Sequence, residues 1–378
     1  MEARILLADG TFVKGKGFGH IGTSFGEIVF NTGMTGYQEI LTDPSYAGQV
    51  VTMTYPLIGN YGINEVDVES DSVKVSGFIV KEYSTKPNHW QLTKTLDAYL
   101  IENNIVGVYD VDTRMLTKKI RNLGAMNCVI TSDESLSISE LEEQLKQYVF
   151  PKDIVKKVSI QHKKEIKADM NNVDHAPNES EDGQKDKSSA SISIGIVDLG
   201  LKTGIVKQLL KRNVDVTIYP HNVGYDEIEA RNHDGILFSN GPGDPKECVD
   251  AIKLANQLKG EVPLFGICLG HQILALSLGA NTYKLKFGHR GSNHPVINLK
   301  TNKVFMTAQN HGYGVEIDSI TEEMELTHLN VNDETVEGIS SRVHDMVSVQ
   351  FHPEEGPGHT DATVIFSEWI NKLERNDS

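Results

Sequence analysis

The chain has 378 residues, too many for one ordinary domain and enough for two that each bury a core. With 39% apolar and 23% charged residues it falls among soluble globular proteins, and its apolar runs are too short to cross a bilayer as helices. A formal net charge of -16 repels phosphate backbones and anionic lipid, so nucleic acid and membrane surfaces are not expected partners.

The opening residues, Met1-Glu2-Ala3-Arg4, run straight into strand-like alternation without the regions of a signal peptide. Three cysteines, Cys128, Cys248 and Cys268, have neither CxxC nor metal-type spacing, so no disulfide framework is expected and a reducing cytoplasm is the expected compartment. Strand patterns follow over 5–8, 27–31, 50–54 and 73–80, with helical spacing over 91–103 and 139–148. Residues 1–151 therefore read as a β-rich α+β domain. Gly17-Phe18-Gly19-His20-Ile21-Gly22 has the form G-x-G-x-x-G, but a strand follows where a dinucleotide site needs a helix, and no G-x-x-x-x-G-K-[ST] occurs. The basic run Lys118-Lys119-Ile120-Arg121 lies in helix-like sequence and reads as a solvated face.

Apolar residues almost vanish over 161–191, which predicts a polar, flexible linker. From 192 to 378 strands alternate with helices: strands over 192–197, 214–219, 235–239 and 262–267, helices over 203–212, 246–258 and 271–278. That alternation predicts a wound α/β sheet. Further strands are expected over 303–307 and 346–351, and an amphipathic helix over 362–373.

Chemistry concentrates in this second half. In Phe265-Gly266-Ile267-Cys268-Leu269-Gly270-His271-Gln272 a buried strand runs into a helix with glycine two positions either side of Cys268. This is the pattern of a nucleophile elbow, and a helix N-terminus favours thiolate. In Phe351-His352-Pro353-Glu354 the residues i and i+2 project to one side of extended chain, so Glu354 can orient His352 as a base. Ser239-Asn240-Gly241-Pro242-Gly243-Asp244-Pro245 reads equally as an oxyanion turn or as a β-turn into a helix capped by Asp244. Likewise, Gln309-Asn310-His311-Gly312-Tyr313 is a polar hairpin loop or a substrate-contacting one. His271, His289, His294 and His311 show no short ligand spacing, so no metal is expected.

Together, the segments 239–245, 266–272 and 352–354 resemble the class I triad glutamine amidotransferases. Gly26-Glu27-Ile28-Val29-Phe30-Asn31-Thr32-Gly33-Met34-Thr35-Gly36-Tyr37-Gln38-Glu39, Asp43-Pro44-Ser45-Tyr46 and residues 54–62 resemble the amino-terminal domain of carbamoyl-phosphate synthetase small subunits. This resemblance implies a class I amidotransferase-like fold with Cys268 as nucleophile and His352 and Glu354 completing a triad. It also implies glutamine contacts from Ser45, Gly241, Gly243, Leu269, Gln272, Asn310, Gly312 and Tyr313, with Gly241 and Leu269 offering N–H groups to an oxyanion. A large subunit carrying ATP and Mg is the implied partner, in a heterodimer or a higher assembly, and no cofactor is implied for this chain. Where the family usually continues Ala-Ser-Pro-Gly-Pro, this chain has Glu355-Gly356-Pro357-Gly358-His359. A free-standing γ-glutamyl cysteine hydrolase is the alternative, although it leaves the first domain unexplained.

Overall fold

The computed structural model describes residues 1–168, 192–354 and 361–376. Most of the expected linker, and the Glu355-to-His359 departure from the family pattern, lie outside the described residues.

The first half is a closed seven-stranded barrel in the order Glu2–Leu7, Phe12–Gly19, Val106–Tyr109, Gly77–Ile79, Gln49–Met53, Thr23–Asn31, Met126–Thr131. Closure removes free sheet edges, and the pairings are mixed, with Thr23–Asn31, Gln49–Met53, Gly77–Ile79 and Val106–Tyr109 parallel. The strand expected over 73–80 shrinks to Gly77–Ile79. The helix expected from 91 is Leu96–Glu102, because the Thr95 hydroxyl accepts from Ala98 N–H at 3.2 Å and fixes its start. Helix Thr113–Leu123, capped by Asp112, carries the Lys118-to-Arg121 run.

A ten-stranded sheet forms the second half. Its parallel core runs Asp215–Pro220, Ser193–Asp198, Gly235–Phe238, Leu264–Ile267, Met346–Val349, and antiparallel strands extend both sides. The central strands are apolar on both faces, as a covered parallel sheet requires. Ile196, Leu237, Phe265 and Ile267 point to one side, where Phe265 stacks on Trp369 of the Val364–Asn376 helix at 4.9 Å. Val197, Ile236, Phe238 and Leu264 point to the other, against Ile273 and Leu274 of the Leu269–Ser277 helix. Burying each such side chain contributes about 1.5–3 kcal/mol.

Two expectations change here. Lys164–Ile166, assigned to the linker, adds an antiparallel edge strand beside Asp215–Pro220; three residues suffice because the existing sheet supplies the hydrogen bonds. Residues 309–313, read as a loop, lie within the strand Val304–Val315, paired with Thr282–Asn298. The polar side chains are tolerated because they find polar partners, Asn310 Nδ2 donating to Asp43 of the barrel at 2.9 Å while His311 and Gln309 meet each other at 2.7 Å.

The halves meet along these two long strands. Thr32 N–H donates to Arg290 C=O at 3.2 Å and Ala125 N–H to Lys286 C=O at 2.9 Å, while Phe30 stacks on Phe287 at 5.8 Å. Near the parallel strand ends, Thr203 N–H donates to Glu69 C=O at 2.9 Å.

Candidate active site

Cys268 sits between strand Leu264–Ile267 and helix Leu269–Ser277 with φ 54° and ψ -102°, a conformation costly for a residue with a Cβ. The flanking glycines make this turn sterically possible. A Cβ on Gly270 would lie 2.0 Å from Phe238 O, and one on Gly266 would lie 2.7 Å from the carbonyl of Gly270, so strand and helix pack closer than any larger residue allows. The thiol is buried, with Sγ 3.7 Å from Asn310 O, and Leu269 N–H is among the helix donors that lack an intrahelical acceptor.

His352 follows strand Met346–Val349 and is held by its backbone N–H donating to Ala308 O at 2.9 Å. Its Nδ1–H donates to Glu354 Oε1 at 2.7 Å, and both side chains are buried. Nε2 makes no hydrogen bond of ordinary geometry, yet the Cys268 thiol is close enough to favour the imidazolium. Burial, the largest single influence, disfavours that cation, but the Glu354 carboxylate and the Cys268 thiol together more than offset it and hold His352 above its usual range. Glu354 in turn stays ionised despite burial, because Lys202 and His352 stand beside it.

Lys202 was not singled out by the sequence. Its Nζ lies 2.8 Å from Glu354 Oε1 and 3.2 Å from Glu69 Oε1, so a carboxylate from the barrel half shares a buried ammonium with the histidine's partner. Burial disfavours the ammonium, but Glu354, Glu69 and Asp43 more than offset it. Neither Lys202 nor Glu69 belongs to a short motif, so only the fold could have found them.

A cavity of about 230 Å³ opens above the sulfur, lined by Ser45, Gly241, Gly243, Cys268, Gln272, Asn310, Gly312 and Tyr313 among others. It is smaller than the roughly 300–1,000 Å³ of drug-sized sites and of a size for one amino acid. The structure therefore gathers seven of the eight expected contact residues with the sulfur, while Leu269 lies beneath them in the helix start and His352 and Glu354 lie behind. A Cβ on Gly241 would fall 2.1 Å from Leu199 O, so only glycine lets this backbone approach. Asp244 caps the next turn, its carboxylate accepting from Lys246 N–H at 2.9 Å, so the turn reading of 239–245 and the pocket reading hold together.

Barrel residues fix the pocket's far wall. Asp43 accepts from Ser45 N–H at 2.8 Å and from Asn310 Nδ2 at 2.9 Å, and Ser45 Oγ accepts from Asn240 Nδ2 at 2.9 Å. Gln272 is tied down by donating to Tyr313 O at 2.8 Å and Gln350 Oε1 at 2.9 Å. Charged groups missed from sequence, Glu27, Lys284 and Arg290, also line the cavity and offer both signs to a zwitterion.

Comparison with known proteins matches residues 5–130 to the carbamoyl-phosphate synthase small chain, CPSase domain, and residues 195–372 to glutamine amidotransferase class-I. The carbamoyl phosphate synthase small chain of Clostridium acetobutylicum is 47% identical over 372 residues, 98% of this chain and 100% of its own. That of Bacillus caldolyticus is 46% identical over 98% of this chain and 96% of its own. The pyrimidine-specific small chain of Bacillus subtilis is 45% identical over 100% of this chain and 97% of its own. With both halves matched and full-length identity of this order, the chain belongs to the carbamoyl-phosphate synthase small chain family, a glutamine-hydrolysing cysteine amidotransferase.

Proposed function

We propose that this chain hydrolyses glutamine through a Cys268–His352–Glu354 triad and passes the ammonia to a large subunit that makes carbamoyl phosphate from ATP and bicarbonate. The observation carrying this reading is the burial of Cys268 in a strained turn at the base of an amino-acid-sized cavity, with an imidazole behind it oriented by Glu354. The Cys268 thiolate attacks the side-chain amide carbon, and the oxyanion is received by backbone N–H groups of Gly241 and Leu269, each such donor being worth about 2.7–4 kcal/mol. His352 imidazolium gives its proton to the nitrogen as the C–N bond breaks, leaving a γ-glutamyl thioester and ammonia. A water deprotonated by His352 then attacks the thioester carbon, and glutamate and the thiol are released.

The proposed chemistry draws on side chains, backbone and water of this chain, with ATP and Mg assigned to the large subunit. A separate cavity of about 60 Å³ reaches His352, lined by Asn31, Thr35, Glu39, Lys202 and Ala308 among others, and we assign it as the way out for ammonia. Among the described residues no helix is long and apolar enough to cross a membrane. We assign the chain to the cytoplasm as one half of a heterodimer, free to assemble further. A free-standing γ-glutamyl hydrolase gives no role to residues 5–130. Acid-quenching the full chain during turnover and mapping its peptides by mass tests the chemistry. A γ-glutamyl adduct on the Cys268 peptide is expected, and glutamate release without any adduct there overturns the reading.

A further inference from the structure

Three strands of the C-terminal sheet bring His289, His311 and Glu337 together. His289 lies on Thr282–Asn298, His311 on Val304–Val315 and Glu337 on Val336–Ser341. All three side chains are buried, and their nearest nitrogen and oxygen atoms lie within 4.8 Å of one another. Chain spacing does not suggest a metal here; cross-strand register, which sets His289 opposite His311, takes its place.

Hydrogen bonds decide which atoms are free. His289 Nε2–H donates to Asp333 Oδ2 at 2.9 Å, so Nδ1 carries the lone pair; it has no hydrogen-bond partner and lies 3.8 Å from Glu337 Oε1. His311 Nδ1–H donates to Tyr313 O at 2.7 Å, so a neutral ring points the Nε2 lone pair at Gln309 Oε1, 2.7 Å away. Two acceptors so close need a cation between them. The buried Arg290 guanidinium already packs beside Gly312, next in the chain to His311. Turning the Gln309 amide over would disturb its contacts to Thr307 Oγ1 and Glu337, and would still leave His289 Nδ1 and Glu337 Oε2 without partners.

We propose that His289 Nδ1, His311 Nε2 and the Glu337 carboxylate, with Gln309 Oε1 as a fourth donor, bind a divalent transition cation, zinc being the ion this closed nitrogen-and-oxygen set fits best. Each histidine already has its other ring nitrogen fixed by an acceptor, as metal-binding histidines do. Four protein donors leave no open position, so the ion is structural. It pins the two long strands one residue from Asn310 and Gly312. The site requires nothing of the glutamine chemistry.

The test strips the full chain with a chelator, reloads it with zinc, dialyses it and measures bound metal, with cobalt as a coloured probe of the ligands. Wild type and Cys268→Ser are both expected to retain one equivalent, and His289→Gln none. Asp333 is partly exposed, so Asp333→Ala should fold; it is expected to weaken zinc binding about 10- to 100-fold, and this measurement decides if His289→Gln does not fold. The proposal is overturned if wild type keeps no zinc, if Cys268→Ser removes it, if Asp333→Ala leaves affinity unchanged, or if the cobalt form shows thiolate-to-metal absorption.

Discussion

Lys202 Nζ lies 2.8 Å from Glu354 Oε1, the same oxygen that accepts from His352 Nδ1. The ammonium therefore competes with the imidazole for one carboxylate while keeping that carboxylate ionised. Removing the cation by Lys202→Met leaves Glu354 and Glu69 buried against each other, and breaking such a buried pair costs about 3–5 kcal/mol of stability. Lys202 also disfavours the imidazolium. The pH limb of glutamine hydrolysis that reports His352 is expected to move upward in Lys202→Met, as measured by a pH profile of kcat/KM; an unmoved limb would disconnect Lys202 from the catalytic histidine.

Acid stability should follow Glu354. Burial raises its pKa, but Lys202 and His352 bring it from an ordinary 4.5 down to about 2, so it binds protons less readily folded than unfolded. The resulting stability is present above the unfolded value and is lost as pH falls from 4.5 towards 2. His352 has the opposite sign: its contribution is complete below 6.5 and fades as pH rises through its higher folded value. Urea unfolding midpoints measured from about pH 5 down to about pH 3 should fall more steeply for wild type than for Glu354→Gln. Parallel curves would contradict the ion pair.

The turn at Cys268 inverts a usual rule. Alanine ordinarily stabilises relative to glycine, but at φ 54° and ψ -102° any Cβ is strained. Cys268→Gly is therefore expected to be more stable than Cys268→Ala by about 1–3 kcal/mol in denaturant unfolding, with both variants inactive on glutamine. The ordinary order would mean the turn is not strained.

Asp43 reaches across the domain boundary to hold Asn310 Nδ2 at 2.9 Å. Hydrogen bonds to charged groups are worth about 1.5–3 kcal/mol, so Asp43→Ala should raise KM for glutamine about 10- to 100-fold and change kcat much less. A loss confined to kcat would place Asn310 on the reaction rather than on binding.

The elbow at Cys268 was legible because its sequence mark is local: two glycines flank the one residue that must turn, although the neighbour that demands Gly270, the Phe238 carbonyl, comes from another strand. His352 and Glu354 were legible for the same reason, as alternate residues on extended chain. By contrast, Lys202, Glu69 and Asp43 act across the boundary between halves, and no periodicity along the chain encodes which carboxylate will face which ammonium. Residues 309–313 look like a loop because they are polar, yet they form a strand because their backbone pairs with Thr282–Asn298 and their side chains find polar partners. Lys164–Ile166 misleads similarly: an edge strand takes its stability from the sheet it joins, so its own composition says little.

The most direct measurement uses the chain together with its large-subunit partner and compares carbamoyl phosphate formation from glutamine and from free ammonia in wild type and Cys268→Ser. Glutamine-dependent synthesis is expected to fall to background in the variant while ammonia-dependent synthesis is retained. Undiminished use of glutamine by Cys268→Ser would contradict the role of the thiol.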